Sequence, residues 1–316
     1  MRPSIRQLEY SVSLAEHRHF GRAARACAVT QPALSAQIQL LEEGLGVRLF
    51  ERSRRGVFLT RAGEAVIARA RDALRSLDDL VGAADELREP LAAPLHLGVI
   101  PTVAPYLLPA WLKQIRVAHP TLRLLLHEDQ TDRIVERLRH GELDLLLLAL
   151  PVPGDDLEAF ELFEEPFWLA APADHPLARG GRRRVVEQDL EGAAVLLLAD
   201  GHCLRDQALS ICRTAGARES EEVRASSLAT LVQMVAGGLG VTLLPATAAA
   251  IEVHPGDGIV LRRFRSPEPA RRIGLVWRKA SPRGQAFHQL GALLRSGVPR
   301  FQLPEGVAGA RSGEGD

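Results

Sequence analysis

Thr30-Gln31-Pro32-Ala33-Leu34-Ser35-Ala36-Gln37-Ile38-Gln39-Leu40-Leu41 reads as the opening of a helix that buries one face and offers the other. Thr30 suits the N-cap, and Pro32 stands in the first turn, where its missing N–H costs nothing. Leu34, Ile38 and Leu41 share one helical face, and Gln31, Ser35, Gln37 and Gln39 lie opposite, out to about Leu45. Upstream, Ile5, Leu8, Val12 and Ala15 recur at helical spacing between about Ser4 and Glu16. His19-Phe20-Gly21 then interrupts the chain before a short Ala-rich helix, Arg22–Cys27. Two short helices, a tight turn and a polar-faced last helix fit a helix-turn-helix reading a major groove.

Past Gly46, Leu49-Phe50-Glu51-Arg52 and Val57-Phe58-Leu59 flank Ser53-Arg54-Arg55-Gly56, a hairpin with an arginine-loaded tip. Such a wing sets Arg52, Arg54 and Arg55 against phosphates or into a narrow minor groove. A solvated basic loop on a protein-binding helical domain would give the same pattern. Charge leans toward DNA: the chain is neutral overall, yet residues 1–60 hold nine arginines against five glutamates.

Thr60 opens a long helix to about Arg88, in which Ile67, Ala70, Leu74, Leu77, Val81 and Ala84 alternate at three and four residues. That is a coiled-coil seam, with a helix packed inside its own chain as the alternative. Two wings joined by such a seam would read an inverted repeat whose half-sites follow the helical turn of about 10 bp. Pro90 and Pro94 mark a linker.

From Leu95 on, short apolar runs alternate with helical patterns, which predicts parallel sheets. Strands are expected at Leu95–Ile100, Leu122–His127, Asp144–Leu150 and Phe167–Ala171, with helices at Pro105–Ala118 and Asp132–Arg139. A second set runs through strand Ala194–Leu198, helix Leu204–Ala215, strand Glu222–Ala225, helix Leu228–Ala236 and strand Val241–Leu244. Ile273–Trp277 and a helix Gly284–Leu294 close the first lobe. The fold class expected is an all-α winged helix-turn-helix with a long linker helix, then an α/β two-lobed domain like a periplasmic binding protein. The expected boundaries are 1–60 for the winged domain, 61–89 for the dimerisation helix, 90–296 for the regulatory domain and 297–316 for a disordered tail.

No apolar run reaches the ~18–20 residues of a membrane span, and the start of the chain carries no secretory signal. A cytoplasmic protein without structural disulfides is therefore expected, and no cofactor or metal is called for. The cysteines are Cys27, Cys203 and Cys212. In Asp200-Gly201-His202-Cys203-Leu204-Arg205-Asp206-Gln207, Cys203 falls where strand meets helix, and unpaired N–H groups there favour a thiolate. His202 and Arg205 are candidates to add positive charge. If Cys203 and Cys212 share one helix, nine residues separate them by roughly 13 Å along opposite faces, too far for a disulfide. Oxidation would then require local unfolding. Both cysteines as structural core residues remain the alternative. Thr102 and Thr131 follow strand ends, where they serve as helix caps or as contacts for a small polar ligand.

Ala23-Ala24, Thr30 through Ser35, Leu41-Glu42, Leu45-Gly46, Leu49 through Arg52 and Thr60-Arg61-Ala62-Gly63 together closely resemble the DNA-binding domain of LysR-type regulators. The resemblance implies DNA contacts at Arg6, Ser35 and Arg52, with Gln31 and Pro32 at the groove. Ile100 through Val103, Pro105 through Pro109, Leu126-His127-Glu128, Gln130-Thr131, Asp200 through Ala208 and Gly240 through Pro245 resemble the hydrogen-peroxide-sensing branch of that family. It implies Cys203 as peroxidatic and Cys212 as resolving cysteine, a pocket of Thr102, Thr131, His202, Asp206 and Arg272, and Cys27 buried without such a role. Double-stranded DNA, RNA polymerase, hydrogen peroxide, a thiol reductant such as glutaredoxin, and a dimer of dimers are the implied partners. Two other readings stay open: a LysR-type regulator answering a small anionic metabolite, and a thiol peroxidase.

Overall fold

The computed structural model describes residues 2–53, 56–86, 91, 94–179 and 184–304, so Arg54 and Arg55 lie outside the described residues. The chain divides into two compact units, Met1–Arg88 and Glu89–Asp316.

In the first unit, Ser4 and Gln7 form a capping box at the start of α1 (Ile5–His17). His19 caps α2 (Phe20–Ala26), and Thr30 caps α3 (Gln31–Leu45), which ends at Gly46 in the left-handed region. Leu14, Leu34, Leu41 and Leu49 are fully buried where the three helices meet. The wing is β1 (Phe50–Ser53) paired antiparallel with β2 (Gly56–Leu59). The Glu42 carboxylate accepts from the backbone N–H of Leu49 (2.6 Å) and Phe50 (3.0 Å), fastening the wing to α3. Cys27 follows α2 and is half-buried, not buried as expected, because it caps the helix at the edge of the small core.

The Thr60 hydroxyl accepts from the Gly63 N–H (2.9 Å) and opens α4 (Arg61–Glu86). Ile67 and Ala70 are buried within the unit, Leu74 and Leu77 only half so, and Leu80 is 67% exposed. The first turns of the seam read from sequence pack on the domain's own helices and Leu74 and Leu77 stay partly open, while the side chains of Val81 and Ala84 lie outside the described residues.

The second unit opens with β3 (Leu95–Val99), α5 (Ala104–Ala118), β4 (Leu124–Glu128), α6 (Thr131–Arg139) and β5 (Leu145–Leu150). These three strands are parallel, and a helix crosses over from each to the next. The expectation of parallel sheets holds here and again in the second set, where Ala194–Leu198 pairs parallel with Arg218–Ala225; the long strand that joins the lobes departs from it. β6 (Leu157–Pro172) runs sixteen residues, against five expected at Phe167–Ala171. Its first half mixes buried, half-buried and exposed positions, and only its second half, from Phe167, is an apolar run. There follow α7 (Pro176–Arg179), β7 (Arg184–Val185), β8 (Ala194–Leu198), α8 (Cys203–Ala215), β9 (Arg218–Ala225) and α9 (Leu228–Ala236). Then come β10 (Thr242–Pro245), α10 (Ala246–Glu252), β11 (Ile259–Phe264), β12 (Ala270–Arg278) and α11 (Gly284–Ser296).

β12 pairs antiparallel with both β5 and β6, while β10 and β11 pair antiparallel with the second half of β6. The sheet is mixed because β6 is shared: its first half closes one lobe and its second half starts the other. Each lobe has its own core. One centres on Leu97, Trp111, Leu147, Trp277 and Phe287, the other on Trp168, Leu196, Val232, Leu244 and Phe264. β6 and the passage from β11 to β12 are the two crossings, as expected for two hinged lobes.

The segment after Gly297 departs from the expected disorder as far as Pro304. Val298 packs on the first core, Phe301 and Leu303 on the second, and the Phe301 ring lies 5.7 Å from that of Phe163. Apolar side chains at 298, 301 and 303 give the Gly- and Pro-rich composition something to bury. Residues 305–316 lie outside the described residues. Phe301 is half-buried, so Phe301→Ala is expected to cost about 1–2 kcal/mol, below the range of a fully buried phenylalanine. A thermal melt should show a fall of a few degrees.

Candidate functional site

Because β3 and β4 are parallel neighbours, the turns leaving them emerge at one edge of the first lobe. Thr102 lies in the turn after β3 and is 2% exposed. Thr131 is the first residue of α6, with Gln130 as N-cap, so it is not the cap that its position suggested. Its hydroxyl oxygen is buried without a hydrogen-bond partner. Facing this edge is the loop Asp200-Gly201-His202 of the second lobe. The Gln130 side chain donates to the Asp200 carbonyl (3.3 Å). It also packs so closely on Gly201, at φ +91°, that a Cβ there would sit 2.5 Å from its amide oxygen.

That loop delivers Cys203 as the first residue of α8, with His202 as N-cap and no side chain closing the cap. The N–H groups of an uncapped first turn give this end of α8 a positive potential. Cys203 is half-buried and packs against the core of the first lobe, across the junction from its own helix. Cys212, nine residues on in the same helix, is 3% exposed within the core of the second lobe. Both are free thiols, and an unbroken α8 holds them apart, as the helical spacing predicts.

Burial pushes the Cys212 thiol up to about 11, with the Glu219 carboxylate adding to the effect. Folding thus favours the protonated thiol, and the reduced fold loses that stabilisation as pH rises from about 9 toward about 11. At pH 8 a thiol so shifted has about a hundredth of the thiolate of an ordinary one. In the native protein at pH 8, Cys212 should therefore alkylate with iodoacetamide at least about 100-fold more slowly than in urea. Peptide mapping reads the difference, and equal rates would contradict this environment.

Positive charge does not come from the residues expected to supply it. Desolvation lowers the His202 pKa below its usual value near 6.5, so the imidazole is neutral at pH 7. Arg205 is held between Glu219 (2.7 Å) and Asp200 (2.9 Å), and the hydrogen bond to Glu219 raises its pKa. Its charge is therefore balanced locally. Asp206 is exposed on the first turn of α8.

Arg272 requires a correction. It pairs with Glu161 at 3.5 Å on the surface, with half of its side chain exposed. Successive strand residues point to opposite faces, and its neighbour Arg271 is the one turned inward. Arg271 is completely buried, bonded through Nε to Glu165 (2.8 Å) and through its two terminal nitrogens to the Thr102 hydroxyl (3.0 Å) and carbonyl (2.9 Å). A strand assigned without its register cannot separate two adjacent arginines. Reading the sequence also missed Gln207, one turn along α8 from Cys203, whose buried side-chain oxygen has no partner. Thr102, Thr131, Cys203, His202 and Gln207 thus present polar groups at the junction, several of them uncommitted within the protein.

On the first unit, Arg6, Gln31 and Pro32 are exposed and Ser35 is half-exposed, on the face opposite the buried Leu34, Ile38 and Leu41. Arg52 lies on β1 opposite Val57.

Comparison with known proteins agrees with both units. Residues 5–64 match the model for bacterial regulatory helix-turn-helix proteins of the lysR family, and residues 88–299 match the LysR substrate binding domain. The chain is 47% identical to the DNA-binding transcriptional dual regulator OxyR of Escherichia coli K12, over 93% of this chain and 95% of that one. It is 45% identical to a probable hydrogen peroxide-inducible genes activator of Mycobacterium avium, over 92% and 93% of the two chains. Among solved structures it superposes on a full-length Pseudomonas aeruginosa OxyR cysteine-to-aspartate variant with a TM-score of 0.76 at 37% identity, covering 94% and 99%. A peroxide-bound cysteine-to-serine mutant of Corynebacterium glutamicum OxyR gives 0.65 at 38% identity, covering 94% and 93%. The relatives are transcription regulators, not enzymes. With the winged domain, the two-lobed domain and this similarity along nearly its whole length, the chain belongs to the LysR family of bacterial transcription regulators.

Proposed function

We propose that this LysR-type regulator senses hydrogen peroxide through Cys203 and Cys212 and controls peroxide-defence genes. The observation that carries the reading is a half-buried cysteine at an uncapped helix N-terminus, packed on the first lobe, while the buried oxygens of Thr131, next to Gln130, and of Gln207, one turn along α8, have no protein partner. The Cys203 thiolate attacks one peroxide oxygen, the O–O bond breaks, and hydroxide leaves as Cys203 becomes a sulfenic acid. The Cys212 thiol then attacks that sulfur, expelling water and forming the Cys203–Cys212 disulfide. Thr102 and Thr131 bond the peroxide, while His202 and Asp206 handle protons. In place of Arg272, the buried Arg271 is the arginine that serves this pocket.

The bridge cannot form on an intact α8, so oxidation unwinds the helix and draws Cys212 out of the second core. That rearrangement is the signal. Arg6, Gln31, Pro32, Ser35, Arg52, Arg54 and Arg55 serve the operator. The open seam of α4 suits pairing of two copies on an inverted repeat, and a dimer of dimers, RNA polymerase and a glutaredoxin-type reductant complete the proposal. A disulfide map by mass spectrometry before and after one equivalent of peroxide tests it. The expected result is one intramolecular Cys203–Cys212 bridge; two free thiols would overturn the reading.

A further inference from the structure

Arg271 and Glu165 face each other on neighbouring strands, β12 and β6, and both side chains are fully buried. An ion pair so placed is costly to desolvate and weak as a source of stability, which invites the question of what it positions. The Glu165 carboxylate is held at both ends. One oxygen accepts from the backbone N–H of Thr247 (2.9 Å) and from the Thr247 hydroxyl, at the start of α10 in the second lobe. The other accepts from Arg271 Nε (2.8 Å). With Nε fixed, the planar guanidinium has one orientation, and its terminal nitrogens reach the Thr102 hydroxyl and carbonyl. The Thr102 hydroxyl oxygen therefore accepts from a cation, and its own proton is turned away from Arg271. Among the described residues no protein acceptor takes that proton.

We propose that Glu165 is a positioning residue for the peroxide reaction, and that Thr247 acts behind it. Together they fix Arg271 so that Thr102 is a polarised donor aimed at the reacting oxygen beside Cys203. The proposal rests on the reading of Cys203 as the peroxide-reactive cysteine. It adds that the orientation of the donor in the first lobe is set from α10 of the second. Thr131, whose oxygen has no partner, remains free to turn with the ligand.

The test uses the full-length protein and compares two reagents at Cys203: hydrogen peroxide, which needs the donor, and iodoacetamide, which does not. In Glu165→Gln one carboxylate oxygen becomes an amide, so either Arg271 or Thr247 loses its acceptor. The peroxide rate constant should fall about tenfold or more, short of the ~10²–10³ for deleting an aimed donor outright, with the iodoacetamide rate unchanged within about twofold. Thr247→Val keeps the ion pair and removes one bond to it, and should give a smaller fall of about two- to threefold in the same ratio. Thr247→Ser, which keeps the hydroxyl, should restore the wild-type ratio. If Glu165→Gln fails to fold, the Thr247 pair decides. An unchanged ratio in the folded variants, or equal slowing with both reagents, overturns the positioning role. A wild-type protein whose Cys203 ignores peroxide would instead remove the reading on which the proposal rests, and the proposal with it.

Discussion

Cys203→Ser is expected to abolish the peroxide response altogether: no disulfide after peroxide and a reporter held at its uninduced level at every dose. A serine hydroxyl is not ionised near neutral pH, so the nucleophile disappears, and the rate of reaction with peroxide should drop at least about a thousandfold. Cys212 cannot substitute. It lies in the second core, its thiol is pushed up to about 11, and the intact α8 keeps it from the junction where the polar groups gather. The half-buried Cys27 sits in the other unit, packed against the core of the winged domain. Cys212→Ser should behave differently. Its Cys203 still reacts, a sulfenic acid is trapped by dimedone, and no bridge forms to hold the unwound state, so induction is weak and transient. A Cys203→Ser protein that induces normally would end the thiol mechanism and favour a metabolite bound between the lobes.

Much of this site is legible in the sequence, for identifiable reasons. The helix carrying both cysteines follows from apolar Leu204, Ala208, Cys212 and Ala215 at helical spacing, all of which are buried. Caps at Thr30 and Thr60 mark helix starts because their side chains satisfy free N–H groups, a local requirement that sequence shows directly. Long-range consequences were less visible. The first half of β6 intersperses glutamates among apolar residues, without a clean strand period, because it is only partly covered. α10 is seven residues, mostly alanine, and has no amphipathic period to betray it, yet its Thr247 anchors Glu165. The electrostatics of the site also depend on folding. Arg205 looks like a cation for Cys203 until Glu219, fourteen positions along on β9, comes within 2.7 Å of it. Arg271 and Arg272 are chemically identical in sequence and differ only in which face of β12 each occupies.

That last difference supports a sharp contrast. Arg271→Ala is expected to lower stability by about 3–5 kcal/mol, because it strands the Glu165 carboxylate in a site with no solvent. For a unit of this size each kcal/mol moves the melting temperature by roughly 2–4 °C, so a fall of about 6–20 °C should be seen by calorimetry. Arg272→Ala removes a half-exposed surface pair and should stay within about 1 kcal/mol of wild type. Stability alone does not separate packing from function, so the second comparison removes both charges. Glu165→Leu combined with Arg271→Leu leaves no stranded ion and should recover most of the lost stability, since buried ion pairs are replaceable by apolar groups. It should not recover the reaction with peroxide, because the Thr102 hydroxyl no longer has a cation behind it. A double variant that reacts at the wild-type rate would show that the arginine holds the fold and nothing more. An Arg272→Ala variant with the larger defect would contradict the register of β12 itself.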